Sequence, residues 1–331
     1  MSKLPGARGP ATEALFAALT RPPHPIAPLP VPDGEEDLQL ALYCCYELHY
    51  RGFDGVDEDW EWEPSLLAAR RALEEPFEAA LRELAGPEDD GCEPGEMDVV
   101  LRDIADADAA PSVSRFIERE ASPEQLLEFL VHRSAYQLKE ADPHSWALPR
   151  LSGGPKAAMV EIQADEYGGG RPERIHAELF AKAMRAAGLD DAYGAYLDVL
   201  PAETLATVNL MSLCGLHRRL RGAIVGHLAL FEMTSSIPNR RYGRGLRRLG
   251  LTSADATDFF DEHVEADAVH ESIAAVDLAG GLARREPALA GQILWGARAL
   301  VAVEGAWARR LMDAWEDGRS SLREPLTVAA S

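Results

Sequence analysis

The helical pattern of the chain constrains its fold more than any other feature. From Glu35 onward, apolar positions recur at the spacing of an α-helix, and two long helices are predicted at 253–279 and 286–317. Alanine, leucine, arginine and glutamate dominate the composition while β-branched residues are sparse, which favours helices over strands. The sequence contains neither a strand ladder nor an internal repeat. It therefore predicts an all-α bundle.

The sequence divides into three predicted parts. Residues 1–34 include PPHPIAPLPVP and are expected to form a surface arm too rich in proline for regular structure. Residues 35–320 are predicted to form one helical domain, followed by a tail at 321–331. Further helices are predicted at 64–85, 96–108, 111–120, 123–141, 190–198, 202–220, 222–234 and 239–249, with a helical stretch at 155–187 that is broken by Gly168–Gly170 and Pro172.

Composition limits the partners and the compartment. The formal charge of −22 argues against a nucleic-acid partner, because such proteins need a basic surface. No apolar run reaches the roughly 18 residues of a membrane span, and the N-terminus lacks the pattern of a signal peptide. The four cysteines show no CxxC spacing, which favours a reducing cytoplasm. We expect a small-molecule partner, and the sequence leaves a homodimer open.

The clearest candidate site is the segment DFFDEHVEADAVHE. Its residues His263, Asp267 and His270 are spaced at i, i+4 and i+7, which places them on one face of a helix. Phe259 and Phe260 continue that face one turn earlier. Two imidazoles and a carboxylate make a poor hydrophobic stripe and a good row of metal ligands. A solvated helix face is the alternative that this segment leaves open.

A second candidate is the pair Glu173 and His176, an ExxH motif with i, i+3 spacing. Leu179 and Phe180 extend the same predicted helical face. In di-iron carboxylate bundles, ExxH motifs on facing helices supply carboxylate and imidazole ligands. An isolated ExxH also occurs by chance, so the motif gains weight only beside the other candidates.

Three more carboxylates complete the set of candidates. Glu232 lies inside the apolar run GHLALFEMT, where a buried carboxylate without a partner is strongly unfavourable. A metal ion would remove that cost, and a salt bridge to Arg221 or Arg240 is the alternative. Glu140 and Glu166 stand upstream, in LKEAD and ADEYGGG. Ionisable groups at helical spacing in three separate segments predict a buried metal site.

Together these segments resemble the iron-containing redox enzyme family, the heme-oxygenase-like di-iron oxidases and oxygenases related to the TenA and PqqC folds. The resemblance rests on Glu140, EIQADEYGGGRPERIHAELFAKAM and HVEADAVHE, and it extends to ELHYRGF, DEDWEWEP, GHLALFEMTSSIP and ILWGARAL. It covers about residues 35–320. It implies a heme-oxygenase-like helical bundle, with auxiliary helices at about 35–120 and a metal-binding core at about 121–320.

The resemblance also implies a set of metal ligands. Six fall on Glu140, Glu173, His176, Glu232, His263 and Asp267. Two further positions, Glu166 and His270, match those that the N-oxygenating members recruit as additional ligands. By this resemblance Glu173, His176, His263 and Asp267 are the catalytic candidates, with Glu173 bridging two Fe(II) ions and His176 and His263 each holding one.

The activity implied by the resemblance is that of a non-heme di-iron oxygenase or oxidase. It would use O2 as co-substrate and a peroxo-di-iron(III) intermediate to oxidise a small polar amine or amino-acid-like substrate in specialised metabolism, with N-oxygenation favoured. Oxidative C–C cleavage or desaturation by the same site is an alternative. A metal-independent hydrolase or binding protein of the TenA type, or a structural helical partner, would be a different class of function.

Overall fold

The computed structural model describes residues 2–88, 92–93 and 95–326, without the side chains of 265–269. Within these ranges the chain is helical and forms no β-strand, which confirms the predicted all-α class. The first seven α-helices are α1 Pro10–Leu19, α2 Glu35–Glu47, α3 Pro64–Ala85, α4 Met97–Asp106, α5 Val113–Arg119, α6 Pro123–Gln137 and α7 Asp142–Ser145. The others are α8 Gly153–Glu166, α9 His176–Ala186, α10 Ala202–Leu216, α11 Arg221–Arg248, α12 Ala254–Ser272, α13 Gly281–Arg285 and α14 Ala290–Glu316.

Shorter helical segments connect these elements. A π-helix, Ile273–Gly280, joins α12 to α13. The 3₁₀ turns are Glu58–Trp62, Leu148–Arg150, Gly168–Gly170, Pro172–Arg174, Arg218–Leu220 and Pro287–Leu289. In the described part of the chain, no helix is both long enough and apolar enough to cross a membrane.

Helix α11 is the central element of the bundle. It packs against α14 along its length and also contacts α12 and α5. A Cβ atom at Gly226 would lie 1.8 Å from the Ile293 carbonyl oxygen, and one at Gly296 would lie 2.0 Å from that of Ala223. These two glycines allow the backbones of α11 and α14 to approach closely. The first part of α11, residues 222–230, is therefore buried in the interior of the molecule.

Helix α6 begins and ends at well-defined positions. At its start, Ser122 and Gln125 form a capping box, with Pro123 in the first turn. The Gln125 side chain accepts a hydrogen bond from the Ser122 backbone N–H at 2.9 Å. The helix ends at Gln137, and the following turn carries Glu140 into the interior. The helix predicted at 123–141 therefore begins at the predicted residue and ends four residues earlier.

The N-terminal segment differs from the prediction. Residues 10–19 form α1, so the expectation that all of 1–34 is irregular is wrong. Most of the prolines lie after this stretch, and Pro10 occupies the first turn, where it is tolerated. The Asp37 carboxylate caps α1 by accepting hydrogen bonds from the backbone N–H groups of Ala11 and Thr12, both at 2.9 Å. The proposed limits of the domain and of the tail stay predictions.

Four of the predicted helices differ from the structure. The segment 190–198 forms turns instead of a helix: the Asp190 side chain accepts from the Ala192 N–H, and Gly194 adopts a positive φ of 75°. The helices predicted at 222–234 and 239–249 are one continuous helix, α11, which passes through Pro238. The single helix predicted at 253–279 changes to π-helical geometry after Ser272.

Candidate metal centre

A tight loop between α8 and α9 brings two of the candidate ligands together. Glu166 is the last residue of α8 and His176 is the first of α9. Gly168 has a φ of 71°, and a Cβ atom there would lie 2.7 Å from the Arg174 carbonyl carbon, so the loop closes on itself. As a result, His176 Nδ1 lies 2.9 Å from Glu166 Oε2.

Glu140 is held by a strained turn. The next residue, Ala141, has a φ of 72°, a conformation that costs about 1–3 kcal/mol for a residue other than glycine. Gln163 stabilises the turn, because its Nε2 donates to the Ala141 carbonyl at 2.8 Å. Gln163 lies one helical turn before Glu166 on α8. Helix α8 therefore positions both Glu140 and Glu166.

Helices α11 and α12 supply the remaining side chains. His263 Nδ1 donates to the Phe259 carbonyl at 2.7 Å, so the proton of the neutral imidazole is on Nδ1 and Nε2 carries the lone pair. That Nε2 lies 3.4 Å from Glu140 Oε1. About two turns further along α12, His270 Nδ1 lies 3.4 Å from Glu232 Oε2 of α11.

These side chains form two adjoining groups of possible metal ligands. The first consists of Glu140, Glu166, His176 and His263, and the second of Glu166, Glu232 and His270. Within each group, one ligand atom from every residue lies within 4.8 Å of the others. None of the six residues is more than 6% exposed. Glu166 belongs to both groups and is therefore the shared carboxylate.

Electrostatics couples the imidazoles to the carboxylates. Burial lowers the pKa of His176, but the charge of Glu166 and its hydrogen bond outweigh burial, so the pKa is raised. Burial raises the pKa of Glu166, but the charges of the three histidines and the hydrogen bond with His176 together outweigh burial and lower the pKa to about 2. Burial lowers the pKa of His270, yet its contacts with Glu232 and Asp165 bring the pKa to about 9. Without a metal ion, protons on the histidines compensate the carboxylates.

The donor set fits iron. Glu140 Oε2 is buried without a hydrogen-bond partner among the described residues, and His263 Nε2 faces the same carboxylate with a lone pair. A cation between these two atoms would satisfy both. Mixed imidazole and carboxylate ligands from facing helices are the arrangement that holds two irons in carboxylate bundles. A space of about 10 Å³ lies between the two groups, bordered by Glu140, Glu166, Glu232 and His263.

Glu173 is not part of either group. It is exposed in the turn Pro172–Arg174, and its backbone carbonyl accepts from Lys182 Nζ at 3.0 Å. Helix α9 begins at His176, so the predicted helical face shared by Glu173 and His176 is wrong. The turn around Gly168–Gly170 breaks the helical register on which that prediction depended. The predicted ligand Asp267 lies outside the described side chains.

Other ionisable candidates have simpler explanations. The alternative partners considered for Glu232 do not reach it: Arg221 pairs with Glu286, and the Arg240 side chain is exposed. His227 is buried, and its Nδ1 lies 3.0 Å from His144 Nε2. The His144–His227 pair borders the cluster without joining either group.

A cavity of about 400 Å³ adjoins the first group. Helices α6, α11, α12 and α14 form its walls, and it reaches Glu140 and His263 at its inner end. The exposed residues Asp108 and Ser112 form its outer rim. The sequence did not predict this cavity, because its walls come from helices far apart in the chain; within α6, Arg133 and Gln137 at i, i+4 spacing share the face that lines it.

Comparison with known proteins identifies the family. The sequence model of the family described as iron-containing redox enzyme matches residues 127–305, more than half of the chain. The chain belongs to the iron-containing redox enzymes. Membership confirms the resemblance and the all-helical class, and it makes the protein an iron-dependent oxidoreductase. A search of curated proteins gave no match.

Proposed function

We propose that this iron-containing redox enzyme is a non-heme di-iron oxygenase that uses O2 to oxidise a small polar amine or amino-acid-like substrate, with N-oxygenation favoured. The observation that carries the proposal is the pair of buried ligand groups that share Glu166. One group alone would support a single iron. Two groups joined by one carboxylate are the arrangement that a di-iron pair requires.

The residues divide between the two irons. Glu140, His176 and His263 would hold the first, Glu232 and His270 the second, and Glu166 would bridge them, the role that the sequence assigned to Glu173. Three carboxylates carry three negative charges against the four positive charges of two Fe(II) ions. Asp267, a predicted ligand, would supply the fourth. When bound, the two Fe(II) ions would supply the electrons and Lewis acidity that O2 activation needs.

The surrounding residues would control access to this site. Phe259 packs against His263 with ring centroids 4.4 Å apart, and against Phe180 at 5.0 Å. These rings exclude bulk water from the inner end of the cavity, where the substrate would meet the first group. A cytoplasmic location stays a prediction from the cysteine pattern of the sequence.

Iron content and single-turnover oxidation test the proposal. Anaerobic protein should bind two Fe(II) per chain, and O2 should then convert an amine to its N-oxygenated product, identified by mass spectrometry. His263→Ala and His270→Ala should each lower the iron content to about one, because each removes the imidazole of a different group. His49→Ala is the matched control, since His49 is buried outside the cluster against Glu61.

Three outcomes would contradict the proposal. A wild-type chain that binds one iron or none would exclude a di-iron site. Equal loss of all iron in both histidine variants would show that the two groups do not act as separate sites. A product cleaved at a C–C bond would retain the di-iron site but replace N-oxygenation by the alternative oxidation.

A further inference from the structure

The cavity beside the metal cluster contains an ion pair that the proposed chemistry does not use. Arg133 donates from Nη1 and Nη2 to the two carboxylate oxygens of Glu304, at 3.0 Å each. The pair links α6 to α14, and both residues line the cavity that reaches Glu140 and His263. A few fixed polar groups in a largely apolar pocket are the usual basis of ligand specificity.

The guanidinium of this pair is held in place from several sides. Its central carbon lies 3.9 Å from the centroid of the Trp307 ring, a close cation–π contact. The Tyr242 hydroxyl also interacts electrostatically with Arg133, whose charge acts to lower the tyrosine pKa. Together with the two bonds to Glu304, these contacts fix the plane of the guanidinium. A bidentate donor is therefore ready before any ligand arrives.

Both members of the pair can still bind a further group. A guanidinium has five N–H donors, of which Glu304 uses two, and each carboxylate oxygen of Glu304 has a second lone pair. The pair is neutral overall, so a ligand with a single charge would bring an uncompensated charge into the cavity, which is unfavourable. A ligand that carries one positive and one negative group side by side would bring no uncompensated charge into the cavity.

We propose that Arg133 and Glu304 recognise the zwitterionic head of an α-amino acid. The ligand carboxylate would accept hydrogen bonds from Arg133, while the ligand ammonium would donate to Glu304. This inference takes one premise from the proposed function, namely that the cavity is the substrate site. It narrows the substrate from an amine or amino-acid-like molecule to an α-amino acid bound by its head.

The position of the pair gives the direction in which the substrate lies. Arg133 and Gln137 line the cavity one helical turn apart at the end of α6, and Glu140 lines it from the turn that follows the helix. Four residues correspond to roughly 6 Å along a helix axis. Arg133 therefore lies more than one helical turn before the metal ligand Glu140, and the rest of the substrate must bridge the distance between them.

Contacts of α14 place the pair toward the outer end of the cavity. Gly305 follows Glu304, and a Cβ atom at Gly305 would lie 3.5 Å from the Cβ of Ala110. Ala110 borders the cavity between Asp108 and Ser112, the exposed residues of the rim. The amino-acid head therefore lies near the rim, and the end of the side chain points to the metal cluster.

The wall between the two ends suits the apolar stem of an extended side chain. Phe259 and Phe180 line the cavity and pack edge to face with ring centroids 5.0 Å apart. Phe259 also contacts the ring of His263. The structure thus assigns a substrate class, α-amino acids with an extended side chain whose remote end meets the metal cluster; for the proposed N-oxygenation, that end carries a second amine.

Calorimetric titration with three matched compounds tests the recognition of the head. The full-length, iron-loaded protein is kept anaerobic, so that binding is measured without turnover, and its iron content is determined on the same sample. The probes are L-2-aminooctanoate, octanoate, which lacks the ammonium, and heptylamine, which lacks the carboxylate. We expect the amino acid to bind at least tenfold more tightly than either analogue, since each loses one charge-assisted interaction.

Variants assign each half of the head to its partner. Arg133→Gln should bind aminooctanoate less than threefold more tightly than heptylamine, because the carboxylate is no longer recognised. Glu304→Gln should bind aminooctanoate less than threefold more tightly than octanoate, because the ammonium is no longer recognised. Arg133→Lys keeps the positive charge but loses the planar guanidinium. Its preference for aminooctanoate over heptylamine should therefore lie between those of wild type and Arg133→Gln. Arg244→Gln is the matched control, because Arg244 forms an ion pair at 3.0 Å with Glu118 outside the cavity; it should bind like wild type.

The outcomes separate this inference from the proposed function. Equal affinity for the three probes, no binding of any of them, or unchanged selectivity in folded Arg133→Gln and Arg133→Lys proteins would overturn the recognition of a zwitterion. None of these results depends on the number of irons. A chain that prefers aminooctanoate but holds fewer than two irons would overturn the di-iron proposal and leave the head-group assignment standing.

Discussion

Two consecutive residues of the same turn, Lys139 and Glu140, enter two different buried acidic sites. Lys139 Nζ lies 3.0 Å from Glu47 Oε2, and both side chains are about 1% exposed. Tyr193 also donates to Glu47, at 2.6 Å. Glu140 instead joins Glu166 and four other ligand candidates, among which the only positive charges come from protonated histidines.

The difference between these sites distinguishes a structural carboxylate from a ligand. A buried carboxylate is tolerated only when a cation and hydrogen bonds compensate it. For Glu47 the chain supplies that cation itself, because the Lys139 ammonium also lies over the rings of Tyr43 and Tyr50, at 4.8 and 4.3 Å. The Glu166 cluster holds three carboxylates and must take its compensating charge from protons or from bound metal.

The largest expected effect is the loss of iron from Glu166→Gln. Because Glu166 belongs to both ligand groups, its replacement should reduce bound iron from two per chain to less than half of one, as measured by atomic emission after desalting. Glu47→Gln is the matched control: it changes an equally buried carboxylate and should retain both irons if the variant is folded. Iron retained in Glu166→Gln, or lost in folded Glu47→Gln, would remove the distinction between the two sites.

The second effect concerns stability at the Glu47 site. Glu47→Gln leaves the Lys139 ammonium buried without its anionic partner, which should lower the free energy of unfolding by about 3–5 kcal/mol. Urea denaturation of the metal-free protein measures this change. A loss below about 1 kcal/mol would mean that the tyrosine rings alone stabilise the ammonium.

The sequence predicted the helical class and much of the cluster for a physical reason. His263 and His270 lie on one uninterrupted α-helix, α12, so their spacing alone determined their shared face. Glu232 was recognisable because it is a carboxylate in an apolar helical run. The prediction for Glu173 was wrong because a helical face exists only within a continuous helix, and the register between α8 and α9 is broken at Gly168–Gly170.

Other features depend on contacts between distant segments. Arg133 and Glu304 are 171 positions apart, and each resembles an ordinary charged residue on a helix surface. Lys139 and Glu47 are 92 positions apart and show no local pattern. The role of Glu166 as the shared carboxylate required knowledge of how α8, α9 and α11 converge. Helical periodicity predicts which residues share a face, but it does not predict which faces meet.

The pKa of His132, a buried histidine outside the cluster, can be compared with that of His176 inside it. His132 lies against the hydroxyl groups of Thr204 and Ser321, and burial, with the charges of Arg133 and Arg310, lowers its pKa to about 3. His176, beside a carboxylate, has a raised pKa. The partners of these two buried imidazoles therefore set their protonation: the hydroxyl groups leave His132 neutral, whereas the carboxylate favours the protonated form of His176.

The sign of the pH effect follows from the lowered pKa of His132. Above pH 6.5 the imidazole is neutral in both the folded and the unfolded chain; below it, only the unfolded chain takes up the proton until about pH 3. Between pH 7.5 and 5.5 this should lower the free energy of unfolding by about 1.4 kcal/mol. In urea denaturation, the free energy of unfolding of His132→Gln should lack this part of the decrease. An identical pH dependence in both proteins would show that His132 is not held neutral.

The smallest expected effect is at Ala141, whose strained turn presents Glu140 to the cluster. Glycine adopts a φ of 72° without a Cβ penalty, so Ala141→Gly should raise the free energy of unfolding by up to about 1 kcal/mol. Iron content should stay at two, because Gln163 still donates to the carbonyl of residue 141. Ala157→Gly, in the exposed interior of α8, is the matched control and should lower stability by about 0.5–1 kcal/mol. A loss of stability in both variants would show that the Ala141 turn is not strained.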